Sequence, residues 1–370
     1  MSKEQKANGE AFMERVLAST LGARDVATIH LVERLGYYAV LAAGPTTSVQ
    51  LAEQTATDER YAREWLEQQA VVGIIGVVDG VSGADGSGVS AAAVRQYVLP
   101  AGYDSVLLDR EHLAYLAPLA RITVAMFGQL PQLVEAFRSG QGVAYADYGA
   151  EAREAQMDQN RPLFAQLLGS QWVPAMGEIH ERLMAQPAGR VLDLACGAGW
   201  STIALAEAYP DVLVDGVDVD APSIALAEQN LAGRAPQLAD RVRFTVADDS
   251  AAESRRYDVA FIYEALHDMS QPVPVLRSVR SQLVPGASLV VVDERVADTF
   301  TAPGDDMERL FYGYSVLFCL PTGRADQPSV GTGTVMRTDT LRRYAEAAGF
   351  TDVDVLPIES DLWRFYRLRG

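Results

Sequence analysis

Cysteine and histidine are scarce in this chain, two of one and four of the other among 370 residues. Cys196 and Cys319 cannot build a disulfide framework, and with so few ligands no metal site is expected. No run of eighteen apolar residues exists, which excludes an apolar spanning helix, and the opening MSKEQKANGE carries no signal-peptide pattern. A soluble, cytoplasmic protein without a membrane partner is the expectation. Positive charge is also in deficit, because 31 Lys and Arg face 49 Asp and Glu, a net charge of −18. Such a surface repels nucleic acid and anionic membrane, but leaves a small molecule open as partner. Apolar residues make up 49% of the chain, enough for two domains, one of them a full α/β core.

Against that background the segment 190–205, RVLDLACGAGWSTIAL, stands out. An apolar run ending in Asp193, then Gly197 and Gly199, then a helix-forming run from Ser201 reads as strand, tight turn and helix. This is a nucleotide-binding corner. A dinucleotide fingerprint needs a third glycine, where this chain has Thr202, so a pyrophosphate ligand is disfavoured. A carboxylate four residues before the first glycine of the pair suits a cationic ligand better. The next strand, VLVDGVDVD at 212–220, ends near Asp218 and Val219, where a carboxylate can accept both hydroxyls of a ribose.

Further strands follow at 241–248, ending in Asp248, and at 257–263, and then a helix, a Pro-Gly turn at 285–286 and a fifth strand. Strands alternating with helices at this spacing predict a parallel, doubly wound sheet with its ligand at the carboxyl ends of the strands. The segments VDVLPIE and LWRFYRL are the last two strand candidates.

The D-L-A-C-G-A-G turn resembles motif I of the class I S-adenosylmethionine-dependent methyltransferases, with Ala195 where that family has its first glycine. The resemblance implies an α/β fold with a doubly wound, seven-stranded Rossmann-like sheet that VDVLPIE and LWRFYRL close as a hairpin, its last strand antiparallel, and S-adenosylmethionine as cofactor. It places Asp193 near the methionine part, Asp218 on the ribose and Asp248 or its neighbour Asp249 at the adenine. Cys196 then packs under the cofactor. Segments such as YADYGAEAREAQMDQNRP, EALHDM and GTGTVMR are similar to an actinobacterial group of small-molecule methyltransferases, related to the plant-type O-methyltransferases. That likeness covers nearly the whole chain and implies three parts: 1–104, winged-helix-like and dimerising; 105–185, a helical linker and lid; and 186–370, the cofactor-binding domain.

In the first part, two helices and a glycine-rich tip, GVSGADGSG, resemble a winged helix. Residues 1–100 carry eight Lys or Arg against twelve Asp or Glu, and the second helix alone holds Asp58, Glu59, Glu64 and Glu67. Phosphate would repel it, so dimerisation is the reading taken and nucleic acid is not an expected partner.

The segment 263–269, YEALHDM, directly follows the fourth strand. By resemblance Glu264 or the Tyr263 backbone meets the cofactor's amino group, and His267 matches the general base of the L-H-D-W pattern, with Met269 replacing the tryptophan. An imidazole titrates near neutrality and can take a hydroxyl proton, although a purely structural histidine is the competing reading. Tyr145 and Tyr148 sit in a glycine-flanked loop at 140–151, read either as a lid or as a rigid linker, with Tyr148 at the cofactor and Tyr145 at the substrate. Tyr312 and Phe318, on the aromatic face with Phe311 and Tyr314, are expected to wall an apolar acceptor. Arg153, Gln156 and Asn160 share one helical face, expected to be solvated. The activity expected is methyl transfer to a small-molecule hydroxyl by direct displacement. Carbon or nitrogen acceptors, an NAD-dependent oxidoreductase and a cofactor-sensing regulator are the alternatives.

Overall fold

The structure is a computed structural model that describes residues 2–78, 95–247 and 256–370. The chain divides into two compact units, Met1–Ala125 and Met126–Gly370.

The first unit opens with one helix, Lys3–Glu33, capped by Ser2, whose hydroxyl accepts the Gln5 N–H. Gly36, at φ +73°, breaks the chain before the helix Tyr37–Ala43. Helices Ser48–Thr55 and Glu59–Val71 follow, and then two short strands, β1 (Gly76–Val77) and β2 (Tyr97–Val98), pair antiparallel. Trp65 packs edge-on to Tyr37 and Tyr38 in the core, with Leu41, Leu51 and Leu66 around it. On the helix Glu59–Val71, Arg63 pairs with Glu59 at 3.2 Å and Arg60 pairs with Glu64. The glycine-rich tip lies outside the described residues. Phe12, Met13, Val16, Leu17 and Leu21 are exposed along the first helix.

The second unit is built on a seven-stranded sheet: β3 (Arg190–Leu194), β4 (Leu213–Asp218), β5 (Val242–Val246), β6 (Tyr257–Tyr263), β7 (Leu283–Glu294), β8 (Asp352–Val355) and β9 (Trp363–Arg369). The order is β5-β4-β3-β6-β7-β9-β8; the first five are parallel and β9 runs antiparallel to β7 and β8. Successive residues of the central strands alternate between two cores: Val191, Phe261 and Val290 on one face, Leu192, Ile262 and Val291 on the other. Burial on both faces explains why these strands read as unbroken apolar runs. The Pro285–Gly286 turn lies inside β7, where the register with β6 shifts between Tyr257 and Val259 and Gly286 adopts φ +84°. The strand order reverses between β3 and β6, which puts a crevice at their carboxyl ends. Among the described residues no helix is long and apolar enough to cross a membrane.

Candidate active site

A cleft of about 730 Å³ opens at that switch point. Its size suits a cofactor together with part of an acceptor.

On one side it is walled by backbone. The chain leaves β3 through Ala195 at φ +59°, Gly197 at +53° and Gly199 at +80°, three left-handed residues in five. At Gly199 the reason is also steric, because a Cβ would come within 2.6 Å of Phe244 and 2.8 Å of Ala227. Asp218, at the end of β4, accepts the Gly197 N–H at 2.8 Å on one oxygen and the Asp220 N–H at 2.8 Å on the other. Burial raises its pKa despite these donors. Each oxygen keeps a lone pair for a further donor. Ala195, Cys196, Gly197, Asp218 and Val219 line the cleft.

Asp193 is placed differently from its expected position near the ligand. It is fully buried below the turn and accepts hydrogen bonds from Ser201 at 2.6 Å and Thr202 at 2.5 Å. Burial pushes its carboxyl up to about 6 against those two donors. Thr202, where a dinucleotide fold would have glycine, is thus used to tie the helix Trp200–Ala208 to β3. Gly199 likewise serves packing and does not face the cleft. Asp248 and Asp249 lie outside the described residues.

The other side is walled by side chains, many from the helix Gly149–Leu163. Arg153, Gln156 and Asn160 line the cleft, which corrects the expectation of a solvated face. Arg153 forks onto Asp220 at 2.6 and 3.1 Å and lies 5.6 Å from the Tyr145 ring centroid. Burial raises the Asp220 carboxyl, but Arg153 and Ser223 outweigh it and leave it below its ordinary value. Tyr145 lines the cleft and its hydroxyl donates to Gln156 at 3.2 Å. Asn160 and Trp363, the latter at 2.6 Å, both donate to Glu264, which holds φ +46° at the end of β6. Burial and then Glu294 push the Glu264 carboxyl far above the glutamate range, against its donors and His267.

His267 lies in the 3-10 turn Leu266–Asp268, 1% exposed and behind the cleft wall, which Asp268 and Met269 reach. Its Nδ1 is 2.8 Å from Asp293 Oδ1 and 3.1 Å from Glu294 Oε2, and its Nε2 is 3.3 Å from Asp268 Oδ1. Burial opposes a charge on the ring, but Asp293, Glu294 and Asp268 outweigh it and hold the imidazole protonated well above its usual range. His180 shares a hydrogen bond with the Tyr209 hydroxyl at 2.8 Å, and His112 sits in a turn rather than on a helix.

Tyr148, Tyr312 and Phe318 do not line the cleft. Tyr148 is buried with its hydroxyl donated to the Leu317 carbonyl at 2.8 Å, and its ring meets Phe318 at 4.5 Å behind Tyr145. Tyr312 points outward to Arg337, 3.3 Å away. The segment before them is tied down, with the Val143 N–H on the Pro321 carbonyl at 3.0 Å and Arg324 on the Gly140 carbonyl.

The sequence reading missed Asp293, Glu294 and the Arg153–Asp220 pair. The strand-end rule that singles out Asp218 applies equally to Asp293 and Glu294, which close β7; the ion pair joins residues 67 apart and leaves no local signal. The cleft also holds the buried Trp200 Nε1 and Tyr263 Oη, without hydrogen-bond partners among the described residues, which fits a polar ligand.

The sheet order is that of the class I methyltransferase fold, and the comparisons make the chain a methyltransferase with S-adenosylmethionine as cofactor. Residues 192–289 match a protein family described as "Methyltransferase domain". The chain is 26% identical over 290 residues, 74% of its length and 75% of the relative's, to a mitomycin biosynthesis 6-O-methyltransferase of Streptomyces lavendulae. Among solved structures, the mitomycin 7-O-methyltransferase MmcR superposes with TM-score 0.71 at 22% identity, covering 98% of this chain and 99% of that one. Human N-acetylserotonin methyltransferase in complex with its cofactor gives 0.69 at 16%, covering 97% of each.

Proposed function

We propose that this enzyme methylates a hydroxyl of a small secondary metabolite by direct displacement. The observation that carries the reading is the buried His267–Asp268–Asp293–Glu294 cluster, which reaches the cleft through Asp268. S-adenosylmethionine supplies a methyl group already activated by its sulfonium, so the protein's task is to orient the acceptor in line and take its proton. Asp218 holds the ribose and the turn at Ala195–Gly197 approaches the cofactor through its backbone. Glu264 meets the amino end of the methionine part, and the adenine falls to Asp248 or Asp249. Tyr145, Met157, Met269, Pro274 and Val275 offer the acceptor an apolar, partly aromatic wall. Relatives by sequence and by fold include O-methyltransferases of mitomycin biosynthesis, which supports oxygen as acceptor. The cluster around His267 receives the hydroxyl proton, the part of the reaction that a histidine base would serve. Mass spectrometry of products formed with a deuterated-methyl donor tests this: an oxygen-linked methyl is expected, and a nitrogen- or carbon-linked one contradicts it.

The first unit serves as a winged-helix dimerisation module rather than a DNA reader. Arg60 and Arg63 are paired within their own helix, and Phe12, Val16, Leu17 and Leu21 leave an apolar stripe open for a second copy. Sedimentation of Leu17→Glu should give monomer where the native chain gives dimer. A native monomer, or retention of duplex DNA at low salt, removes this reading.

A further inference from the structure

Two cysteines and four histidines are few, yet the fold brings one of each together beside a carboxylate. His267 and Asp268 share the 3-10 turn Leu266–Asp268, and Cys319 meets them from the end of the π-turn Ser315–Cys319. One donor atom of each residue lies within 4.8 Å of the other two. His267 Nε2 and Asp268 Oδ1 are 3.3 Å apart, close to the about 3.4 Å that separates two ligands held about 2.1 Å from a tetrahedral zinc. That oxygen is buried and has no hydrogen-bond partner among the described residues. Sulfur at about 2.3 Å from the same ion stands about 3.6 Å from the other two ligands, so the thiol closes about 1 Å at most.

The surroundings complete the arrangement. On the other edge of the ring, Nδ1 is 2.8 Å from Asp293 Oδ1, so the proton held there leaves Nε2 as the ligating atom. A carboxylate behind a histidine in this way fixes the ring's tautomer and raises its strength as a metal ligand. Asp293 and Glu294 do not line the cleft whereas Asp268 does, so an ion approaches from the Asp268 side. The turn itself is held in place: the Gly333 N–H donates to the His267 carbonyl at 3.2 Å, and a Cβ on Gly323 would lie 2.9 Å from the Asp268 carbonyl oxygen.

We propose that His267, Asp268 and Cys319 form an inhibitory zinc site at the wall of the cleft. Imidazole, thiolate and carboxylate together select Zn²⁺ over Mg²⁺ or Ca²⁺, and the fourth position is left to water or to a group in the cleft. Binding releases the Cys319 thiol proton and the Nε2 proton to solvent. The ion then occupies the lone pair with which His267 would take the acceptor's proton, so methyl transfer stops while it is bound. That consequence rests on the hydroxyl-transfer reading; the site itself does not.

Two measurements test the assignment. In the first, Co²⁺ stands in for zinc, because it accepts the same ligands and is coloured. An equimolar amount added to the full chain should give a near-ultraviolet thiolate-to-metal band that zinc displaces and Mg²⁺ does not. The band should persist in Cys196→Ala and vanish in Cys319→Ala. Zinc affinity, read against a chromophoric chelator, should fall about a hundredfold or more in Cys319→Ala and in Asp268→Asn. A band that survives Cys319→Ala, or zinc affinity that both variants keep, overturns the site; unchanged S-adenosylhomocysteine binding controls for folding. In the second, methyl transfer from a radiolabelled donor to phenol should cease with equimolar zinc, return on chelation, and lose its sensitivity to zinc in Cys319→Ala. Undiminished transfer with zinc bound overturns the inhibition. A native chain that leaves phenol unmethylated in metal-free buffer counts against the hydroxyl reading, while the cobalt band still decides the site.

Discussion

At the ends of β3 and β4 the cleft is walled by peptide groups: the left-handed residues Ala195 and Gly197, and a carboxylate whose two oxygens already hold backbone N–H groups. At the ends of β6 and β7 it is walled by ionisable side chains drawn from residues about a hundred positions apart, such as Asn160, Glu264 and Trp363. The first half is rigid and resists substitution because backbone conformation and packing fix it together. The second concentrates buried charge, which costs stability unless each group is paired or neutralised. On the proposed function, binding and chemistry fall to different materials, and they should fail separately.

The largest expected effect strikes the binding half through folding. Gly199→Val combines a left-handed strain with a Cβ clash against Phe244 and Ala227, and should cost about 3–6 kcal/mol in chemical denaturation. A stable variant would mean that the turn can move. Next comes the reaction half: His267→Gln should lower turnover by about 10²- to 10⁴-fold while leaving cofactor affinity nearly unchanged. Full activity in that variant would show that proximity alone suffices. Asp218→Ala should do the reverse, weakening cofactor binding by about 1–3 kcal/mol through lost charged hydrogen bonds.

A smaller effect distinguishes the halves by pH. Glu264 and Glu294 hold their protons up to about 8 and about 7, both through burial first and then through neighbouring carboxylates. Groups bound more tightly to protons when folded contribute stability that is complete below the ordinary carboxylate range and is lost as pH rises through those values. The melting temperature should therefore fall across about pH 6 to 8, and Glu264→Gln should flatten that slope. An unchanged slope would place the pH dependence elsewhere in this acidic chain. The smallest change is Ala195→Gly, which removes left-handed strain at φ +59° at the expense of a more flexible unfolded chain, for a net gain of about 1 kcal/mol or less.

How much of this was legible in the chain follows the same division. Gly197, Gly199 and Asp218 could be read because a turn after a strand writes its requirements into neighbouring residues. The parallel sheet was readable from the spacing of apolar runs, and its closing hairpin from the family resemblance. Arg153 and Asn160 were misjudged as solvated because three- and four-residue spacing fixes a helical face but not what covers it. Tyr312 and Phe318 were expected on the cleft, yet the helix Asp306–Tyr314 passes into a π-turn that rotates its aromatic residues apart. Asp193 obeyed the strand-end rule and still turned inward, where Ser201 and Thr202 both donate to its Oδ2.

The central claim is that one half of the cleft binds the cofactor and the other performs the chemistry. Calorimetric titration of S-adenosylhomocysteine into the native chain, Asp218→Ala and His267→Gln, side by side, tests it most directly. Binding to the native chain, matched by His267→Gln and weakened about ten- to a hundredfold in Asp218→Ala, is the expected result. Equal losses in both variants, or a native chain that binds NAD and not S-adenosylhomocysteine, would contradict it.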